Sequence, residues 1–273
     1  MIRVIVDSGS SIKQNEKELY NVEIVPLKIL LGDNEYQDGI DITDEIFWDY
    51  LINKKKFPKT SLPSMTELEE KVNAFLNGGD EVIIVTISSG ISGTYNAFRM
   101  MYEDNPKVRV IDSLSCVGGI KIIVNEINKY RNESLDFVVD KVNKLIPRIK
   151  ILAVPETLEY LHRGGRLSKV GFIVGTLLHV TPIITIEKGH VKVYQKIRGL
   201  QKAMKTIVDE LENCDENYPI VPSYTYQTNN LEVLKSKTQK KHLDILTEFD
   251  HLDYAVASHW GPNAFGYIFV EKE

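Results

Sequence analysis

Val82-Ile83-Ile84-Val85, running on into Ser88-Ser89-Gly90-Ile91-Ser92-Gly93-Thr94, is the stretch on which the fold turns. A short β-branched run bounded by hydroxyls and glycines reads as a buried strand that empties into a polar loop at a helix start. The pattern recurs. Ile2-Arg3-Val4-Ile5-Val6 leads into Asp7-Ser8-Gly9-Ser10-Ser11, and Val108-Arg109-Val110-Ile111 leads into Asp112-Ser113-Leu114-Ser115, each with helix-compatible sequence behind it. Strand, loop and helix units of this kind predict a parallel sheet with ligand-facing loops at its strand ends.

Outward from that frame, Ser64-Met65-Thr66-Glu67 has capping-box spacing, and Leu68, Val72, Phe75 and Leu76 follow at helical intervals, so a helix begins just after Pro63. Leu135, Val138, Val139, Val142, Leu145 and Ile146 repeat with helix period, and Ile151-Leu152-Ala153-Val154 reads as a strand. A boundary near residue 148 divides the chain into an N-terminal α/β domain, 1–148, and a C-terminal α/β domain, 149–273. In the second part, a helical Leu158 to Leu161 ends at Gly164-Gly165, and an apolar Phe172 to Leu178 follows. Lys188-Gly189 reads as a turn between strands, a helix runs from about Gln201 to Leu211, and an apolar strand closes the chain at Tyr267 to Val270.

The 273 residues are 43% hydrophobic and 26% charged, enough apolar material for a large packed core. A net charge of −5 argues against a broad nucleic-acid-binding surface. Cys116 and Cys214 lie far apart without paired spacing, which speaks against a disulfide framework or a zinc site. The first residues lack the pattern of a signal peptide, and no stretch reaches about 18 apolar residues, so neither export nor a membrane span is expected. Cytoplasm is the expected location.

Four hydroxyls and two glycines between Ser88 and Thr94 let backbone amides and side chains converge on an anion at a helix N-terminus. The loop matches neither of the glycine-rich nucleotide fingerprints nor the G-x-S-x-G nucleophile elbow. Thr60-Ser61-Leu62-Pro63-Ser64 reads either as a helix-capping turn or as a second hydroxyl cluster. His259, before Gly261-Pro262, is either a surface turn histidine or a presented imidazole. His162-Arg163-Gly164-Gly165-Arg166 is either an ordinary helix C-terminus or a cationic receptor for phosphate or an acidic partner. His179, His190, His242 and His251 have no metal-ligand spacing, so no metal is expected.

Taken in order, Asp7-Ser8, Pro26-Leu27, Tyr36-x-Asp38-Gly39, Thr60-Ser61-x-Pro63-Ser64, Ser88-Ser89-Gly90-x-Ser92-Gly93-Thr94-Tyr95 and Ile111-Asp112-Ser113 resemble the signature of the DegV family, of the FakB type. Arg163-Gly164-Gly165-Arg166-x-Ser168, Pro182 to Ile186, Arg198 and His259-x-Gly261-Pro262 extend the resemblance over the whole chain. It implies an α/β fold of two domains, a Rossmann-like parallel-sheet domain and a mixed-sheet domain, with a lipid tunnel between them. It also implies one long-chain fatty acid whose carboxylate meets Thr60, Ser61, Ser92 and His259, with Gly93 and Thr94 in the headgroup loop.

On that resemblance the protein is no enzyme and needs no cofactor. It presents its fatty acid to a separate ATP-dependent fatty acid kinase that makes the acyl phosphate, with Arg166 and Arg198 toward the partner or phosphate. Hydroxyls and an imidazolium all donate to a carboxylate, and each buried methylene adds about 0.8 kcal/mol before ordering costs. Ile91, Phe172, Ile173 and Phe265 are expected along the tunnel. Leu62, Trp260 and Asn263 depart from the residues many relatives carry there. Two other readings remain open: an esterase or thioesterase with Ser92 as nucleophile and His259 as base, and a nucleotide or sugar-phosphate sensor on the parallel-sheet half.

Overall fold

The computed structural model describes residues 1–168 and 180–273. With strands numbered along the chain, Ile2–Asp7 (β1), Val22–Val25 (β2), Glu81–Thr86 (β6) and Val108–Asp112 (β7) form a wholly parallel sheet in the order β2-β1-β6-β7. These strands are apolar on both faces because both faces are covered. Ile5, Val82 and Ile84 pack against Leu68, Val72 and Phe98 of the helices Met65–Asn77 and Thr94–Tyr102. Val4, Val6, Ile83 and Val85 face the other way, toward the helix Gly118–Lys129.

Ile149–Val154 (β8), Val180–Glu187 (β9), His190–Arg198 (β10), Val221–Tyr224 (β11), Asp250–His251 (β12) and Phe265–Val270 (β13) form a mixed sheet in the order β10-β9-β8-β13-β11-β12. Ile151, Ile184, Val221 and Ile268 turn one face toward Gly118–Lys129. Leu152, Ile183, Phe265, Tyr267 and Phe269 turn the other toward Ala203, Met204, Ile207, Leu231 and Leu234 of the helices Leu200–Glu210 and Asn229–Lys237. The helix Gly118–Lys129 therefore lies between two sheets, which is why most of its residues, Lys121 and Glu126 included, are buried.

The parallel sheet draws every strand from before residue 149, and the mixed sheet draws every strand from 149 onward. Lys28–Leu31 (β3), Asn34–Gln37 (β4) and Lys59–Ser61 (β5) add a small antiparallel sheet that the sequence pattern did not announce. The last helix, Tyr254–Trp260, packs on β3 and β5 and so carries the end of the chain back to its beginning.

Several sequence expectations are met closely. Ser64 accepts a hydrogen bond from the Glu67 amide at 3.2 Å and caps Met65–Asn77. Ser134 caps Leu135–Leu145 in the same way. One differs: β1 is followed by 3₁₀ turns and a single helical turn at Lys17–Tyr20, because the polar loop after it is occupied in holding other segments.

That loop belongs to a buried polar clasp between the two ends of the chain. Asp7 accepts from the amides of Gly9 and Ile87, both at 2.8 Å. The Ser8 hydroxyl donates to Asp38 at 2.8 Å, and Asp38 in turn accepts from the Tyr254 amide at 3.0 Å. Lys13 pairs with Asp253, whose amide donates to Ser11. Lys121 pairs with Asp250 at 2.8 Å, with Glu16 nearby at 3.6 Å. Burial raises the Asp7 carboxyl to about 7 and that of Asp250 to about 6. It also raises Asp38, helped by its neighbour Asp253.

Candidate functional site

Thr60 and Ser61 sit at the end of β5, held in register by Lys28 and Ile29 of β3. Ser92 lies in the turn after β6, where the Ser88 carbonyl accepts the amides of Ile91 and Ser92 at 3.1 and 3.0 Å. Gly93 begins the helix Thr94–Tyr102, so Ser92 stands at its N-terminal, partially positive end. His259 projects from the last turn of Tyr254–Trp260. Arg166 follows the helix Glu159–Arg163 and its Gly164-Gly165 ending.

These segments meet around one cavity of about 220 Å³, lined by Thr60, Ser61, Ser92, Gly93, Arg166 and His259 together with Leu27, Leu62, Ile87, Ile91, Leu161, Val191, Ala255, Val256 and Trp260. Residues more than 190 positions apart touch there: His259 Nε2 and Thr60 Oγ1 share a hydrogen bond of 3.2 Å. The Ser92 hydroxyl lies 2.9 Å from that of Thr94, which is itself fully buried. Arg166 donates through Nε to the Ile91 carbonyl at 2.9 Å and through Nη1 to the Gly164 carbonyl. Among the described residues no carboxylate forms an ion pair with it. The guanidinium is therefore fixed by neutral groups and keeps its charge uncompensated. The segment is a helix C-terminus, with Arg166 on the cavity wall.

The charge on His259 corrects the imidazolium expectation. Burial, with the Arg166 cation adding to it, pushes the imidazole down to about 3, so it is neutral at ordinary pH. Its Nδ1 is buried and has no hydrogen-bond partner among the described residues. Gly164 makes this placement possible, because a Cβ there would lie 2.1 Å from His259 Nδ1. The loop of Ser88 and Gly90 is anchored from the other side. Ser88 donates to the Gly189 carbonyl at 2.8 Å, and a Cβ on Gly90 would meet that carbonyl at 2.3 Å. The β9–β10 turn thus fastens the hydroxyl loop.

Other expected residues lie elsewhere. Arg198 is exposed at the end of β10 and does not line the cavity. Phe265 is buried in the mixed sheet and lines a second, apolar cavity of about 30 Å³, which Trp260 also lines. Phe172, Ile173 and His179 lie outside the described residues. Leu27, Ile87, Leu161, Val191, Ala255 and Val256 line the main cavity without having been singled out. Pro26-Leu27 in the motif series was the one sequence signal for any of them. Asn263 donates to Glu156 at 2.8 Å, away from the main cavity. The described residues hold no cluster of three or more metal-ligating side chains and no helix long and apolar enough to cross a membrane.

A mixed α/β protein with one cavity whose walls are apolar and whose polar groups are hydroxyls, an imidazole and a guanidinium is the class that fold and cavity define. The chain belongs to the DegV family: the description "Uncharacterised protein, DegV family" matches residues 1–272. A DegV domain-containing protein of Caldanaerobacter subterraneus is 33% identical over 279 residues, covering 99% of both chains. The crystal structure of a fatty acid binding DegV family protein from Streptococcus agalactiae superposes with a TM-score of 0.89 at 25% identity, over 100% of this chain and 99% of that one. The Streptococcus pneumoniae fatty acid kinase B3 protein, loaded with linoleic acid, shares the fold with a TM-score of 0.83 at 22% identity, over 100% of both chains. The first of these neighbours is a fatty acid binding protein, and the second carries linoleic acid.

Proposed function

We propose that this chain binds one fatty acid, holds its carboxylate among Thr60, Ser61, Ser92 and His259, and presents it to a separate ATP-dependent kinase for acyl-phosphate formation. The observation that carries the reading is the convergence, on a single apolar-walled cavity, of hydroxyls, a neutral imidazole and a guanidinium without an acidic partner. Hydroxyls and the imidazole N–H set direction, and Arg166 supplies the opposite charge. This moves Arg166 from the partner surface to the headgroup. Arg198, exposed on β10, remains the candidate for the partner's side.

The family supports the ligand class, and the fatty acid kinase B3 neighbour supports the handover. Phosphoryl transfer needs a nucleotide site of its own, so the chain acts as the substrate-presenting subunit, with no cofactor. We read it as two units, 1–148 and 149–273, with the acyl chain in a tunnel between them, in the cytoplasm. The esterase reading is weaker: Ser92 bonds Thr94, His259 bonds Thr60, and no carboxylate orients the imidazole among the described residues.

The direct test is mass spectrometry of an organic extract of the natively purified protein. A near-equimolar free fatty acid is expected. An empty extract that stays empty after incubation with fatty acids refutes the reading. For the handover, Arg198→Glu should keep the fatty acid and slow its phosphorylation by the kinase and ATP.

A further inference from the structure

Trp260 borders both cavities: the main one of about 220 Å³ and the inner one of about 30 Å³ lined by Cys116, Val117, Leu252, Phe265, Tyr267 and Ile268. The main cavity carries the polar groups of the head, whereas the inner one is almost purely apolar and is walled by Cys116 and Val117, by Leu252 and Ala264, and by strands β8, β11 and β13 of the mixed sheet. Trp260 is 6% exposed and is a wall of both. Its backbone is pinned. Trp260 ends the last helix, and Gly261 follows at φ 75°, where a Cβ would lie 2.3 Å from the Tyr160 ring.

We infer that Trp260 is the stop that sets how long an acyl chain this site accepts. The inference rests on the fatty-acid reading above. A cavity of about 150 Å³ takes a six-carbon ring, so the main cavity holds roughly nine non-hydrogen atoms. Hexadecanoic acid has eighteen. With the indole in place, the site suits chains shorter than the long-chain class expected from the sequence. Removing the indole joins the two apolar spaces into one path from the carboxylate toward Ile268.

The test loads natively purified wild type and Trp260→Leu with an equimolar mixture of octanoic, dodecanoic and hexadecanoic acids and weighs the extracted acids by mass spectrometry. The wild type is expected to favour the shorter acids. Trp260→Leu should shift toward hexadecanoic acid by about fourfold per additional methylene buried. Ala153→Leu, which refills the inner cavity, should reverse the shift in the Trp260→Leu background. Should Trp260→Leu fail to fold, Trp260→Phe keeps an aromatic ring and is read in the same way. Identical profiles in two loaded, folded proteins overturn the stop while leaving fatty-acid binding intact. Wild type that takes up none of the three acids overturns the fatty-acid reading and the stop with it.

Discussion

In the cavity, Arg166 is surrounded by carbonyls, hydroxyls and a neutral imidazole, whereas in the clasp Lys13 and Lys121 meet Asp253 and Asp250 directly. Both places take charge out of water, which costs free energy unless the charge is compensated. In the clasp each cation has its acid within the fold, so the charges join the two ends of the chain and leave nothing for a ligand. In the cavity the cation has no acid of its own among the described residues. On the proposed function, the carboxylate of a fatty acid is the anion that completes the site.

The contrast is broken most severely at Lys121. Lys121→Met leaves Asp250 buried without its partner, and the loss should be about 3–5 kcal/mol of unfolding free energy in a urea titration. Lys121→Met with Asp250→Leu replaces both charges and should recover most of that loss. If Lys121→Met alone is harmless, the clasp is not holding the chain ends together.

Arg166→Leu probes the opposite case. Removing an uncompensated cation should leave stability unchanged or slightly higher, while fatty-acid affinity falls with the loss of a charged hydrogen bond worth about 1.5–3 kcal/mol, roughly tenfold to a hundredfold in Kd. A fluorescent fatty-acid displacement assay reads the affinity. Weakened folding with unchanged binding would place Arg166 with the structural cations.

The two regions also answer pH with opposite signs, each by no more than about 1.4 kcal/mol per pH unit. Asp7 has its pKa raised from 3.8 to about 7, so its contribution is complete below the unfolded value and lost as pH rises through about 7. His259 has its pKa lowered from 6.5 to about 3, so its contribution is complete above 6.5 and lost as pH falls toward 3. Tm profiles should therefore flatten in different directions: Asp7→Asn removes a decline toward neutral pH, and His259→Gln removes a decline into acid. Fatty-acid binding itself should take up no proton near neutral pH, which calorimetry in buffers of different ionisation heat checks. Substantial proton uptake would return the imidazolium to the site.

What was legible in the sequence divides along the same line. The hydroxyl loops at the ends of β5 and β6, and His259, were visible because glycine, serine and proline punctuate the strand pattern where a ligand is met. The parallel sheet was visible because its strands are continuously apolar. The clasp was not, because its members are separated by long stretches: Asp7, Ser8 and Asp38 stood in the motif series without a stated task, and Lys121 showed only as a lysine between Ile120 and Ile122 in a helix that is mostly buried. The small sheet of β3, β4 and β5 escaped because its strands are short and mixed in polarity, stabilised by the last helix from the far end of the chain. Trp260 stood out as a residue, but only the two cavities beside it give it a task.

The smallest expected effect separates an aimed imidazole from a merely packed one. Gly164 has φ −72°, an ordinary value, so alanine there strains no backbone. The added methyl would instead fall 2.1 Å from His259 Nδ1 and push the ring away from Thr60. Gly164→Ala should therefore cost the site about one neutral hydrogen bond, 0.5–1.5 kcal/mol or roughly twofold to tenfold in Kd. In a Thr60→Val background the same change should cost much less, because the bond it disturbs is already gone. Equal losses in both backgrounds would mean that the ring fills space, and that the hydroxyls and Arg166 alone receive the carboxylate.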